Sequence, residues 1–259
     1  NGIKVTRDEK IRLKALAKFV RDSVYFDTPL YIGPNYPQMP MIRKVRGKED
    51  IEIVLATWGF LPAVTPDEAF ITNFRSKYIT LNAKVENLFI NEKGAGPSMF
   101  AEAALHEKVL IPSTHFYEWR HLKVRGKGGK ILKDPLKQPY LIHLPEHEVF
   151  YFAGIRQVNN LRGRTLAIDT APANLLMSQV HNGRMRMPCI LTEELAWQWL
   201  FDPTLTRADI QRIGSTQYDS SKMIAYTVER KLITATDPMK HIHYTDVPPL
   251  GENDDFVLT

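Results

Sequence analysis

Short β-branched and aromatic runs, separated by turn signals, recur along most of the chain and restrict it to a strand-rich fold. Residues 41–45 and 51–57 flank the charged turn Arg46-Gly47-Lys48, and further runs follow at 109–119, 139–144, 149–155, 165–170, 189–191 and 225–233. Side chains of this kind suit a pleated, half-buried surface. Helical spacing is confined to a few stretches: 7–24, where Ile11, Leu13, Leu16, Phe19 and Val20 recur between basic residues, then 98–105, 174–180 and 193–200, the last capped by Thr192. Residues 31–40, with Pro34, Pro37 and Pro40, read as a loop. Residues 121–133 read as a hairpin tip rich in Gly and Lys, without the spacing of a phosphate-binding P-loop. The strands at 139–144 and 149–155 are expected to pair with each other. At 259 residues and with no Pro/Gly/Ser linker, the chain reads as a single domain over 1–259 with an extended tail from about residue 247. The expected class is α+β, a curved, barrel-like, mainly antiparallel sheet with peripheral helices.

One of these runs carries a carboxylate between large rings, Phe116-Tyr117-Glu118-Trp119. Burial disfavours the charged form of a carboxyl and raises its pKa. A carboxyl so raised, beside aromatic walls, suits general acid–base chemistry. A strand-end glutamate with its head in water is the alternative.

The net charge is +5, from 34 basic and 29 acidic residues, and leans toward an anionic partner such as nucleic acid. Cys189 is the only cysteine, so an internal disulfide is excluded and a reducing cytoplasm is the expected compartment. No apolar run reaches the roughly 18 residues of a membrane helix.

Three polar stretches interrupt the apolar pattern: Asn82-Ala83-Lys84, Glu118, and His181 in V-H-N-G-R-M-R-M-P. An amide, a carboxyl and an imidazole meeting in one cleft would supply orientation, acid–base transfer and a second proton carrier. Singly, Asn82 also fits a turn and His181 a helix end. Trp58 and Trp119 fit either a core or a stacking platform for bases, with Lys84, Arg184 and Arg186 as phosphate contacts. Cys189, in the apolar M-P-C-I-L, reads as a buried, inert thiol. His241 and His243 place two imidazoles on one face of an expected strand with no third ligand, a surface pair rather than a metal site.

Taken in order, W-G-F-L-P, N-A-K-V-E-N, V-L-I-P-S-T-H-F-Y-E-W, F-Y-F-A-G-I and H-N-G-R-M-R-M-P-C-I-L resemble the SRAP family, the SOS response-associated peptidases, from about residue 36 to residue 200. The resemblance implies a protein that caps abasic sites in single-stranded DNA. In this family the initiator Met is removed and a cysteine becomes the N-terminus. Its amine attacks the ring-opened sugar aldehyde, and its thiol closes a thiazolidine. The resemblance assigns Asn82 to positioning the amine, Glu118 to general acid–base transfer, and His181 to sugar ring opening. It assigns Lys84 and Arg186 to phosphate, with Arg184 sharing that role. Trp58 and Trp119 fall near the DNA, and Pro40 in a loop that wedges beside the abasic site. No metal or organic cofactor is implied, and the expected state is a monomer off the membrane.

Four departures stand out. No cysteine precedes Asn1, so the catalytic one is expected upstream. Lys84 stands where Arg is usual, His115 where Gly is usual, and three extra residues separate His181 from Arg186. Two other functions compete with covalent capture: a module that binds single-stranded DNA without chemistry, and a peptidase acting on other proteins. Against the second stands the lack of a suitable mid-chain nucleophile.

Overall fold

The computed structural model describes residues 18, 28, 30–45, 50–251 and 257–258. The expected helix at 7–24 (Lys18 apart) and the turn at 46–48 lie outside the described residues. In chain order the strands are β1 (Gln38–Lys44), β2 (Ile51–Trp58), β3 (Asn82–Lys84), β4 (Lys108–Ser113), β5 (Phe116–Val124), β6 (Leu136–His143), β7 (Phe150–Asn159), β8 (Gly163–Pro172), β9 (Arg186–Pro188), β10 (Ile190–Leu191), β11 (Ile224–Thr227) and β12 (Val257–Leu258). The chain forms two compact units. One comprises Asn1–Ser113, Val149–Ala171 and Pro188–Gln217; the other comprises Thr114–Glu148, Pro172–Met187 and Tyr218–Thr259.

The first unit holds a closed five-strand barrel. β1 pairs antiparallel with β2, from Gln38 opposite Thr57 to Lys44 opposite Ile51. β1 meets β4 at Ile42 opposite Leu110, β4 runs antiparallel to β7, and β7 antiparallel to β8. A short parallel seam, Thr57 opposite Thr165 and Trp58 opposite Leu166, joins β8 back to β2. The mainly antiparallel, barrel-like α+β sheet expected from the sequence is therefore present. β3 extends β8 in parallel, and β10 pairs antiparallel with β7.

A five-strand barrel encloses little more than side chains. Ile42, Leu110, Ala153, Ile155 and Ala167 from its strands share one apolar cluster with Trp199 and Ile213 of two helices, Glu193–Phe201 and Arg207–Gly214. Trp199 is fully buried, and its indole N–H donates to the Val109 carbonyl at 3.1 Å, so burial leaves no polar atom unpaired. Gly154 is required by this packing, because a Cβ there would sit 2.1 Å from Ile111 Cδ1 and 2.8 Å from the Ala167 carbonyl.

The second unit holds a four-stranded sheet in the order β11-β6-β5-β12. β5 and β6 are antiparallel, with Glu118 opposite Tyr140. The helix Leu175–Val180 follows Asn174, whose side-chain oxygen accepts the Met177 N–H while its amide donates to the Tyr218 carbonyl at 2.7 Å. A capping residue that also ties down a second segment fixes where this helix begins, and its far end carries His181.

Several expectations are corrected. The run at 109–119 is two strands, broken at Thr114-His115; β4 serves the barrel and β5 the second sheet. Periodicity cannot register a change of partner strand. For the same reason β6 and β7 do not pair, since they belong to different sheets. Pro40 lies within β1, not in a loop, and is buried. It is tolerated because the pairing of β1 with β4 is confined to Ile42, so the missing N–H faces no ladder there. The stretch at 225–233 is strand only to Thr227 and ends in a 3-10 turn at Leu232–Thr234. His241 and His243 are exposed but not on a strand. The helices Glu68–Lys77 and Arg207–Gly214 were not expected. Each begins with an acid or hydroxyl cap, Asp67 and Thr206, that the helical spacing alone did not mark.

Candidate functional site

Glu118 sits mid-strand on β5 with its side chain 23 % exposed. Burial pushes its carboxyl up from 4.5 to about 7, against the pull of the Trp119 N–H and of Arg184. Near neutral pH the group therefore divides between acid and base forms.

His181 terminates the helix Leu175–Val180, its N–H donating to the Met177 carbonyl at 2.7 Å. Ring Nδ1 lies 2.8 Å from the Arg186 carbonyl. A carbonyl only accepts, so Nδ1 carries the proton and Nε2 keeps its lone pair in the neutral ring. Nδ1 is also 3.7 Å from Glu118 Oε1, too long for a hydrogen bond. Burial pushes the imidazole pKa down; the Arg186 carbonyl opposes this, and the positive charges of Arg184, His121 and Arg186 add to it. Glu118 is raised and His181 lowered, so both favour neutral forms. We read the pair as an uncharged acid beside an uncharged base, not as a fixed ion pair.

The loop after His181 is tightly folded. The N–H groups of Arg184 and Met185 both donate to the His181 carbonyl, and Met185 adopts the left-handed conformation at φ 55. The Met185 carbonyl accepts from the Ala173 N–H at 2.9 Å. Asn182 makes two hydrogen bonds to the main chain of His121, accepting from its N–H and donating to its carbonyl, each at 2.9 Å. The second unit thus brings Glu118, His181, Arg184 and Arg186 together, with Trp119 half-buried next to Glu118.

The remaining expected residues belong to the first unit. On β3, Asn82 and Lys84 are exposed on one face, and the Ala83 between them is buried on the other. Lys84 Nζ is 2.5 Å from Glu92 Oε1, an exposed pair that holds the Glu92 carboxyl below its usual range. Trp58 is half-buried, and its indole N–H donates to the Leu81 carbonyl at 2.8 Å. Cys189 is fully buried, with its N–H on the Asp169 carbonyl; burial and the neighbouring Asp169 carboxyl push the thiol far up, out of nucleophile range.

Sequence reasoning passed over Asn182, whose only signal was the turn-forming Asn-Gly pair, and Asp169. The latter is fully buried on β8, its carboxyl pushed well up by burial, and neither of its oxygens has a hydrogen-bond partner among the described residues. Among the described residues no group of three His, Cys, Asp or Glu is placed to hold a metal ion, and no helix is long and apolar enough to cross a membrane.

This α+β chain has a small, mostly antiparallel barrel in its first unit and, in its second, a shielded carboxyl–imidazole pair with Arg184 and Arg186 nearby. The chain belongs to the SOS response associated peptidase (SRAP) family, whose model matches residues 8–235. It is 34% identical over 176 residues to the abasic site processing protein YoqW, in both Bacillus subtilis (strain 168) and Bacillus phage SPbeta. That alignment covers 66% of this chain and 66% of the relative, so the chain spans just under two thirds of that relative's length. The abasic site processing protein YobE of Bacillus subtilis (strain 168) is 32% identical over 176 residues, covering 66% of this chain and 68% of YobE. Among solved structures, a protein from Bacteroides thetaiotaomicron matches with a TM-score of 0.66 and 26% identity over 92% of this chain and 96% of its own. A phage-related protein from Bordetella bronchiseptica, at 22% identity and a TM-score of 0.53 over 74% of this chain and 78% of its own, shares the fold.

Proposed function

We propose that this protein processes abasic sites in single-stranded DNA and captures them covalently through an N-terminal cysteine. The observation that carries the reading is the Glu118–His181 pair, a carboxyl tuned to about 7 beside an imidazole whose Nε2 is left free as a base. Membership of the family and the names of the relatives support it.

In this reading His181 Nε2 takes the proton from the anomeric hydroxyl as the bond from the anomeric carbon to the ring oxygen breaks, and it returns that proton to the ring oxygen, leaving an aldehyde and a hydroxyl. The cysteine α-amine, with a pKa near 8 and so substantially unprotonated at neutral pH, adds to the aldehyde carbon. Glu118 protonates the departing hydroxyl, and water leaves. The thiol then adds to the same carbon and closes a five-membered thiazolidine; its proton passes to the ring nitrogen. One water is lost overall and no oxidant is needed. Glu118 in its carboxylate form also serves Met removal, activating the water that cleaves the first peptide bond. Asn82 positions the amine, while Lys84, Arg184 and Arg186 meet phosphates and Trp58 and Trp119 lie along the strand. We read the two units as one SRAP domain acting as a cytoplasmic monomer.

The test uses the full open-reading-frame product and a single-stranded oligonucleotide with one abasic site, resolved on a denaturing gel beside a variant whose N-terminal cysteine is replaced by Ala. A shifted band with the unsubstituted protein alone supports the reading. No shifted band with either protein, with binding retained in a native gel, supports a non-covalent reader of single-stranded DNA instead. Glu118→Gln is expected to retain the initiator Met by intact mass and to slow capture, and a normally processed N-terminus in that variant would refute its role.

A further inference from the structure

We propose that Asn182 is a positioning residue for the Glu118–His181 pair, acting as a clip between the His181 loop and the main chain of β5. Its consequence for DNA capture rests on the abasic-site reading; the clip itself does not.

His121 on β5 lies opposite Lys137 on β6, while β12 reaches β5 only at Lys123 and Val124. The His121 N–H and carbonyl both go to Asn182 instead, at 2.9 Å each. A carboxamide offers one acceptor and one donor, as a peptide group does, so one side chain stands in for a paired strand residue. Asp would keep the acceptor and lose the donor; Ala would lose both.

The next residue makes the clip possible. A Cβ on Gly183 would lie 2.8 Å from His121 Nδ1 and 3.0 Å from Cε1, so the imidazole of His121 occupies the space that a side chain would need. Asn182 and Gly183 lie between His181 and Arg186 and fasten the loop to β5, three positions along the strand from Glu118. His181 is then held on two sides, by Nδ1 on the Arg186 carbonyl and by the clipped Asn182 that follows it in the chain. Both constraints are local to the imidazole, and together they set its 3.7 Å separation from Glu118.

The charged and titratable groups facing this site are Arg184, Arg186, His121 and the Glu118 carboxyl, 3.7 Å away, at His181, Arg184 at Glu118, and Lys137 and Arg184 at His121. Replacing Asn182 with Ala removes no charge, so a change in titration reports the position of these groups and their access to water. With the clip in place, capture needs Glu118 protonated and His181 neutral, a window opened because burial raises one pKa and lowers the other. Loosening the loop hydrates both groups, returns each toward its ordinary value, and closes the window from both sides.

The experiment compares the unsubstituted full-length protein with Asn182→Ala and Gly183→Ala. Single-turnover capture of an abasic oligonucleotide is followed across pH, and the His181 ring is titrated by NMR in the protein alone. The expected result is a narrowed pH profile in both variants, with a maximal rate lower by roughly tenfold to a hundredfold. Affinity for an intact single-stranded oligonucleotide should fall by less than the capture rate, since the phosphate contacts outside the loop are untouched. His181 should titrate higher than in the parent. Limbs that do not move in either variant, with only the height of the profile changed, would overturn the proposal. If the unsubstituted protein captures nothing, the abasic-site reading fails, and the NMR titration still judges the clip: an unmoved His181 in both variants overturns it.

Discussion

Glu118→Gln should stabilise the protein at alkaline pH while slowing its chemistry. The Glu118 carboxyl is raised from 4.5 to about 7 chiefly by burial, so the folded state binds a proton that the unfolded state has released between those values. Stability then falls as pH rises across that window, and the full cost is present above pH 7. At ~1.4 kcal/mol for each tenfold, the interval corresponds to roughly 3 kcal/mol. That is an upper bound, because 23 % of the side chain still meets water. Gln keeps the shape and carries no charge at any pH. Urea unfolding of parent and variant, followed by tryptophan fluorescence with Trp119 adjacent to the changed residue, should give curves closer together at about pH 5 and a variant more stable by about 2 kcal/mol at about pH 8. A difference between the two proteins that does not change with pH would refute burial as the cause of the raised carboxyl, and with it the acid role.

Lys84→Glu should weaken binding to single-stranded DNA and reduce the slope of log affinity against log salt by about one, the loss of one phosphate contact; an unaltered slope excludes that contact. Glu92→Gln should act oppositely and weakly, by no more than about fivefold, because it releases Lys84 from an exposed ion pair; competition binding at low salt reads this. Cys189→Ser places a hydroxyl where the sulfur has only the Ile213 carbonyl, 3.8 Å away, and should cost about 1–3 kcal/mol of stability. It should leave covalent capture intact, and loss of capture in a folded Cys189→Ser protein would reinstate the mid-chain thiol.

Where one physical rule dominated, the sequence was readable. β1 and β2 follow from β-branched content and a turn between them, and the helix Glu193–Phe201 from Thr192 and the acids after it. Glu118 and His181 were legible because a carboxyl among rings and an imidazole in a polar loop are both unusual. What was hidden depends on partners distant in sequence. The break at Thr114 is invisible until β5 has β6 and β4 has β7. Pro40 reads as a loop residue unless the limited reach of β4 along β1 is known. Asn182 looks like an ordinary turn residue, because its role lies in two bonds to a backbone 61 positions away.

Neither compact unit is a continuous stretch of chain. Each is assembled from three segments, and the chain changes unit after residues 113, 148, 171, 187 and 217. No single gene fragment can therefore encode either one, and the architecture cannot be divided by simple truncation or acquired by adding one module to another. Length can vary only where the chain turns at the surface, as in the glycine-rich tip around Gly128 and Gly129. A change to either unit has to be made in place, within one of its three segments.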